Sequence, residues 1–250
     1  MKMVLTPLYS IIKEYMTKNN KRYHAKVTRH DGRIKISEGG KPFPRGGFIR
    51  YIEVYLPSSY QNNLHVTSTN GIIDLTRINL DLSTLRVDNT SGTVKLDRAA
   101  CSDIYLSSTR GALKLGMIKA SRIRLETTSG SITCGEVNGR VTYKSTSGNL
   151  DVKSAIGSGS YRANNSGKLN VVYTEVTGDV SFFNKNDNIR VILPADLSFS
   201  FEATTKNGSV STNFQQSLKV KGRTTSGIVG IDPIITVKVE TKNGNSEVKQ

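Results

Sequence analysis

One short motif constrains this chain more than any other feature. It is Thr127-Thr128-Ser129-Gly130-Ser131-Ile132, and it returns in varied form along most of the sequence. Its relatives are Ser68-Thr69-Asn70-Gly71, Asn89-Thr90-Ser91-Gly92, Ser108-Thr109-Arg110-Gly111, Ser145-Thr146-Ser147-Gly148, Asn164-Asn165-Ser166-Gly167, Thr205-Lys206-Asn207-Gly208 and Thr241-Lys242-Asn243-Gly244. From Gly71 to Gly167 the glycines step by 21, 19, 19, 18 and 19 residues. Self-similarity at such a period marks a repeat architecture.

Apolar residues hold fixed places around each glycine. Leu64, Leu85, Ile104, Ile123 and Val141 lie seven before it, and Val66, Val87, Leu106, Leu125 and Tyr143 five before. Ile73, Val94, Leu113, Ile132 and Leu150 lie two after, and Leu75, Leu96, Leu115, Cys134 and Val152 four after. Within each pair the spacing of two puts both side chains on one face of a strand. A single strand–turn–strand unit cannot bury that face, whereas stacked units can. The spacing predicts an all-β, single-stranded parallel β-helix, a β-solenoid of about 19-residue units. The even step and short strands fit a coiled solenoid better than a sandwich, which would show more variable loops and long crossovers. Glycine at each corner predicts positive φ there, at Gly111 and Gly130 in particular. Stacked corners would align Thr, Ser and Asn side chains for hydrogen bonding along the stack.

The pattern loosens after Gly167. Asp187-Asn188 stands in for the turn, with Val180, Phe182, Ile189 and Val191 at all four offsets; Asp and Asn are the residues besides Gly that best tolerate the left-handed conformation. Gly208 keeps Phe201, Ala203 and Val210, and Gly244 keeps Val237, Val239 and Val248. Ser246 breaks the fourth position of that unit, which suits a terminal, capping rung. Residues 215–232 fit either an extra rung or a protruding hairpin.

The N-terminus reads differently. Thr6-Pro7 opens a predicted short α-helix, with Leu8, Ile11, Ile12 and Tyr15 as its apolar stripe. Such a helix would cover an open solenoid end or lie on a membrane or partner surface. His24 to Ser37 resembles a degenerate first unit, with Asp31-Gly32 as its turn and Ile34 and Ile36 inward. The glycines and prolines of 39–47 read as a connector. The expected organisation is an N-terminal helix and basic segment at 1–22 and a solenoid domain at 23–250.

Charge is uneven. The net charge is +15, and residues 1–50 hold twelve basic side chains against three acidic ones, leaving +6 for the other 200 residues. A basic end favours anionic partners, and Lys13, Lys18, Lys21 and Arg22 are the candidate contacts. The anionic partners that charge brings into view are phosphate-bearing polymers, anionic lipid and nucleic acid. Nucleic acid is not expected, since no aromatic platform or helix-turn-helix pattern accompanies the charge. No run of about twenty apolar residues is present, and Met1–Leu5 is too short for a signal-peptide core, so a soluble chain is expected.

Catalytic chemistry is hard to assemble from these residues. Asp74 and Asp151 share one repeat offset but would lie four rungs apart, about 19 Å, beyond the reach of paired glycosidase carboxylates. Asp88 and Glu126 share another offset beside Arg86 and Arg124, which points to surface ion pairs. His24, His30 and His65 lack metal-ligand spacing, so no metal or cofactor is expected. Cys134 falls at an inward offset and Cys101 in a connecting segment, and no disulfide is implied.

With Tyr51-Ile52-Glu53-Val54-Tyr55-Leu56-Pro57, Leu64 to Leu75, the Thr-Ser-Gly units and Val239 to Gly244 in view, the chain resembles the bacterial family of proposed adhesins built from β-strand repeats. This is a domain-of-unknown-function family that also occurs in Lia-type cell-envelope stress proteins. The resemblance covers about residues 50–250. It implies a right-handed β-helix, a bacterial and Gram-positive source, an envelope location and no catalytic residue. The sequence therefore predicts a non-enzymatic binding or scaffold protein, with a carbohydrate-active enzyme on a β-helix as the alternative.

Overall fold

The computed structural model of the chain describes residues 2–6, 11–30, 33–42, 46–214, 216 and 218–250. They form two compact units, Met1–Tyr60 and Gln61–Gln250.

The first unit contains β1 (Lys2–Thr6), β2 (Ile11–Met16), β3 (Lys26–His30), β4 (Arg33–Ser37) and β5 (Arg50–Pro57), with a 3₁₀ turn at Lys21–Tyr23. β5 takes β1 on one side in parallel and β2 on the other antiparallel. The predicted helix is thus corrected: Ile11–Met16 is a strand, while residues 7–10 of that expectation lie outside the described residues. The pairing Ile11↔Tyr55 to Met16↔Arg50 satisfies the backbone, and Ile12, Glu14 and Met16 alternate as half-buried against exposed Lys13 and Tyr15. Tyr15 stacks on Tyr51 with ring centres 4.5 Å apart. Glu14 in the half-buried row hid the period of two, and two adjacent isoleucines fit either period. The expected degenerate rung is corrected as well. β3 and β4 pair antiparallel, Lys26↔Ser37 to His30↔Arg33, and Ile34 is 50% exposed; Asp31-Gly32 lies outside the described residues. Arg50 ties the unit's loops together, donating to the Tyr23 carbonyl at 2.6 Å and to Glu38 at 2.8 Å.

The second unit is the predicted β-solenoid. Its strands are β6 (Asn63–Ser68), β7 (Ile72–Asn89), β8 (Thr93–Ser108), β9 (Ala112–Thr127), β10 (Ser131–Ser145), β11 (Asn149–Ala163), β12 (Leu169–Asn184), β13 (Ile189–Ile192), β14 (Phe199–Thr205), β15 (Val210–Thr212), β16 (Lys219–Lys221), β17 (Thr224–Val229), β18 (Thr236–Thr241) and β19 (Ser246–Lys249). Each of β7 to β11 runs from one Gly corner to the next, β12 runs from the Gly167 corner to Asp187-Asn188, and all pair in parallel with their neighbours. Register follows the repeat: Val87↔Leu106↔Leu125↔Tyr143↔Tyr161 forms one inward column and Val94↔Leu113↔Ile132↔Leu150 another. All of these are at most 1% exposed, and each aliphatic one contributes about 1.5–3 kcal/mol of burial. Tyr161 stacks on Phe182 at 4.7 Å, and Gly159 leaves the space its ring occupies.

The final rungs are stacked out of chain order. β18 pairs in parallel with β12 on one side and β14 on the other. β19 likewise sits between β13 and β15. The Gly244 unit, expected as a terminal cap, is therefore an interior rung, and Ser246 is 1% exposed between Ile189 and Val210. The covering role falls to a hairpin of β16 and β17, with β17 antiparallel on β14, which resolves residues 215–232 in favour of the hairpin. Phe199, Phe201 and Phe214 pack edge-to-face behind it.

Candidate functional site

The corners build a ridge along the solenoid. At most corners the residue three before the closing Gly or Asp turns inward, giving a column of buried polar side chains, Asn89, Ser108, Thr127, Ser145, Asn184, Thr241 and Thr205; at the Gly167 corner Asn164 is exposed and Ala163 takes the inward place between Ser145 and Asn184. The column closes the turns. Gly111 N–H donates to Ser108 Oγ at 2.9 Å and Gly130 N–H to Thr127 Oγ1 at 2.8 Å. Thr241 Oγ1 donates to the Gly244 carbonyl at 2.8 Å, and Asn184 Oδ1 accepts Asp187 N–H at 3.2 Å. A corner closed this way needs Ser, Thr or Asn at its first position, which accounts for the sequence signature at every corner named here except that of Gly167, where Ala163 is inward.

The glycine requirement differs from expectation. Gly71, Gly92 and Gly167 have φ of 111°, 106° and 112°, but Gly111, Gly130, Gly148, Gly208 and Gly244 lie outside the left-handed region. At Gly111 and Gly130 the constraint is stacking distance. A Cβ there would meet the carbonyl oxygen of the glycine one rung earlier, inside the 3.0 Å that Cβ atoms keep. Asp187 is likewise not left-handed; its Oδ1 accepts the Asn188 N–H at 2.8 Å.

Two exposed ladders crown the ridge. Thr69, Thr90, Thr109, Thr128 and Thr146 follow one another rung by rung, linked through Thr90 N–H to Ser68 O, Thr109 N–H to Asn89 O and Thr128 N–H to Ser108 O. Beside them runs an amide ladder in which Asn165 donates to Ser147 at 3.1 Å, Asn186 to Asn165 at 3.0 Å, Asn243 to Asn186 at 2.7 Å and Asn207 to Asn243 at 2.8 Å. In the last three rungs of the stack lysine replaces threonine. Lys242 N–H bonds Asn184 O and Lys206 N–H bonds Thr241 O, so the spatial order is Lys185, Lys242, Lys206. The three repeats of Lys-Asn are visible in the sequence, but their adjacency depends on the displaced rung.

Next to the ridge lies an outward strand face. Asp88 receives Arg86 at 2.6 Å, His65 at 2.9 Å and Ser107 at 2.8 Å. Tyr105 lies between two guanidinium groups, Arg86 at 4.4 Å and Arg124 at 5.7 Å from its ring centre, and its hydroxyl donates to Glu126 at 2.9 Å. An open groove of about 360 Å³ borders this network, lined among others by Tyr105, Thr109, Glu126, Thr128, Lys144 and Thr146. A second, of about 480 Å³, includes Asn170, Arg190, Asn245 and Glu247, with Arg190 donating to Glu247 at 3.2 Å.

The acids fall where the repeat puts them. Asp74 and Asp151 are four rungs apart through Lys95, Lys114 and Thr133, and Asp88 and Glu126 are separated by Ser107. Burial alone would raise the Asp88 carboxyl, but hydrogen bonds from Arg86, Ser107 and His65 outweigh it and hold the carboxyl below the usual range. A general acid needs the opposite shift. Cys134 is buried and its thiol is pushed up to about 12 by that burial; Cys101 rises to about 11 for the same reason, and both are free.

Of the basic candidates, Lys13 is on β2 over the Tyr55 ring at 4.9 Å, and Lys18, Lys21 and Arg22 are exposed in the bend and 3₁₀ turn that follow. They do not share a helical face. Among the described residues no helix is long and apolar enough to cross a membrane, and no group of three His, Cys, Asp or Glu side chains could hold a metal ion.

A comparison with curated proteins finds no match. Among solved structures, this chain is similar to a proposed cell adhesion protein from Clostridium sporogenes ATCC 15579 at 12% identity, over 100% of this chain and 87% of that one, with a TM-score of 0.24. The Toastrack DUF4097 family model matches residues 11–249. With the repeat, the parallel stack and this match in agreement, the chain belongs to the Toastrack DUF4097 family.

Proposed function

We propose that this chain is a non-enzymatic binding scaffold of the bacterial cell envelope, whose solenoid holds surface groups in fixed register for an extended partner. The observation that carries this reading is the exposed threonine ladder beside the groove at Tyr105, Glu126 and Lys144. Consecutive rungs are about 4.8 Å apart, so a repeating ligand meets the same hydroxyl chemistry at each step. The backbone behind the ladder is paired on both sides, and such a surface is organised before any ligand arrives. The envelope location rests on the resemblance of the repeat units to proposed adhesins and Lia-type stress proteins. Wall polymer, anionic lipid and envelope proteins are the partner classes.

Co-sedimentation of the labelled full chain with isolated Gram-positive envelopes tests the proposal. The chain should pellet with them, and replacing Thr109, Thr128 and Thr146 together with valine should weaken binding at least about tenfold, roughly 1.4 kcal/mol. Absence of binding overturns the envelope role. Equal binding by the triple variant, with its β-sheet circular dichroism retained, overturns the choice of surface.

A further inference from the structure

We propose that the Lys185–Lys242–Lys206 column is a docking ridge for a linear polyanion bearing closely spaced phosphate charges. The inference rests on the binding-scaffold reading and names the chemistry of the partner. Three Lys-Asn pairs, 185–186, 242–243 and 206–207, occupy equivalent corner positions on three consecutive rungs. All three lysines are exposed, and they stand in single file over about 10 Å. Arg223 extends the file: its carbonyl accepts the Thr205 N–H at 3.1 Å, next to Lys206, and its side chain is exposed.

Two of the four neighbouring acids are ion-paired, Glu202 with Lys238 at 2.7 Å and Glu247 with Arg190 at 3.2 Å, while Asp187 accepts the neutral Asn188 N–H and keeps its charge. Glu240 stays on the outward strand position two before Lys242. Like charges stacked at rung spacing repel one another, so an unliganded column of this kind is held only because the rungs beneath it are fixed. A linear chain of phosphates relieves that repulsion along its whole length. A membrane presents a plane of charge, whereas these cations form a line along one ridge. The amide ladder beside the lysines adds neutral hydrogen-bonding groups in the same register.

The test uses the full chain and long-chain inorganic polyphosphate, followed by fluorescence anisotropy across a salt series. The chain should bind, with affinity falling steeply as salt rises. Lys185→Gln/Lys206→Gln/Lys242→Gln should weaken binding at least about tenfold at low salt and flatten the log–log salt slope by about two, as the loss of three counterion-releasing contacts requires. A control triple, Lys114→Gln/Lys119→Gln/Lys153→Gln, removes the same charge from exposed strand positions and should change binding less than about threefold, with its slope nearly intact. Equal losses in both triples would show a response to net charge and overturn the ridge. No binding of polyphosphate overturns it also, and if envelope binding persists, only this inference falls. Binding to phosphatidylglycerol vesicles that depends on the three lysines, with none to polyphosphate, would assign the ridge to a lipid surface and overturn the linear polyanion.

Discussion

Replacing Thr127 with valine isolates the chemistry of the corner. The two side chains have nearly the same shape, so packing is conserved while the acceptor is lost. Thr127 is 7% exposed, and its Oγ1 accepts the buried Gly130 N–H at 2.8 Å. In Thr127→Val that N–H has no partner, and a buried unsatisfied donor costs about 1–3 kcal/mol. For a domain of this size each kcal/mol shifts Tm by about 2–4 °C, giving an expected fall of about 2–12 °C. Thr128→Val is the matched control, because Thr128 is exposed on the next position and should stay within about 0.5 kcal/mol. Thermal unfolding by circular dichroism gives the global effect. Amide hydrogen exchange at Gly130 gives the local one, and its protection should collapse in Thr127→Val alone. If the two variants melt together and Gly130 stays protected, the buried polar column does not close the turns.

Three further outcomes follow from the geometry. Gly130→Ala should destabilise by about 3 kcal/mol, because the added methyl runs into the Gly111 carbonyl; a melting temperature equal to wild type would refute the stacking constraint. Ser246→Ala should leave Tm unchanged or raise it by up to about 1 kcal/mol equivalent, since Ser246 Oγ is buried without a hydrogen-bond partner, and a clear loss would show that the hydroxyl is used. Burial raises the Tyr143 phenol to about 12 and pushes Tyr161 and Tyr173 upward too. These groups stabilise the fold fully below about pH 10, the unfolded value, and that stability is lost as pH rises through the folded values. In a titration at 295 nm they should ionise only as the β-sheet signal disappears; all ten tyrosines ionising near pH 10 with the sheet intact would contradict this.

The inward columns were legible because burial imposes a period of two on every strand and the corners fix its phase. Leu106 and Leu125 could be placed inside from spacing alone, and they are 0% exposed. The corner glycines were recognised for a reason that holds at Gly71 but not at Gly130, since the approach of a neighbouring rung is a tertiary fact with no local signature. Stacking order was illegible for a related cause. Val237 and Val239 carry the same inward pattern whether their rung lies last or between β12 and β14, so periodicity cannot separate the two. The lysine column inherits that blindness. Glu14, a polar residue in the half-buried row of β2, concealed the strand that replaced the expected helix.

The displaced rung also sets a timetable for biosynthesis. β14 to β17 leave the ribosome before β18 and β19, yet their place in the stack lies beyond a layer that has not been made. Until residues 236–249 emerge, the edge of β12 and β13 has no native partner, and β14 carries a matching apolar pattern that can dock there one layer too early. Such a premature dock would have to open before the proper layer could enter. Completion of this end of the solenoid therefore waits for residues 236–249, and a nascent chain held short of Val248 should expose an adhesive sheet edge to chaperones or to other chains.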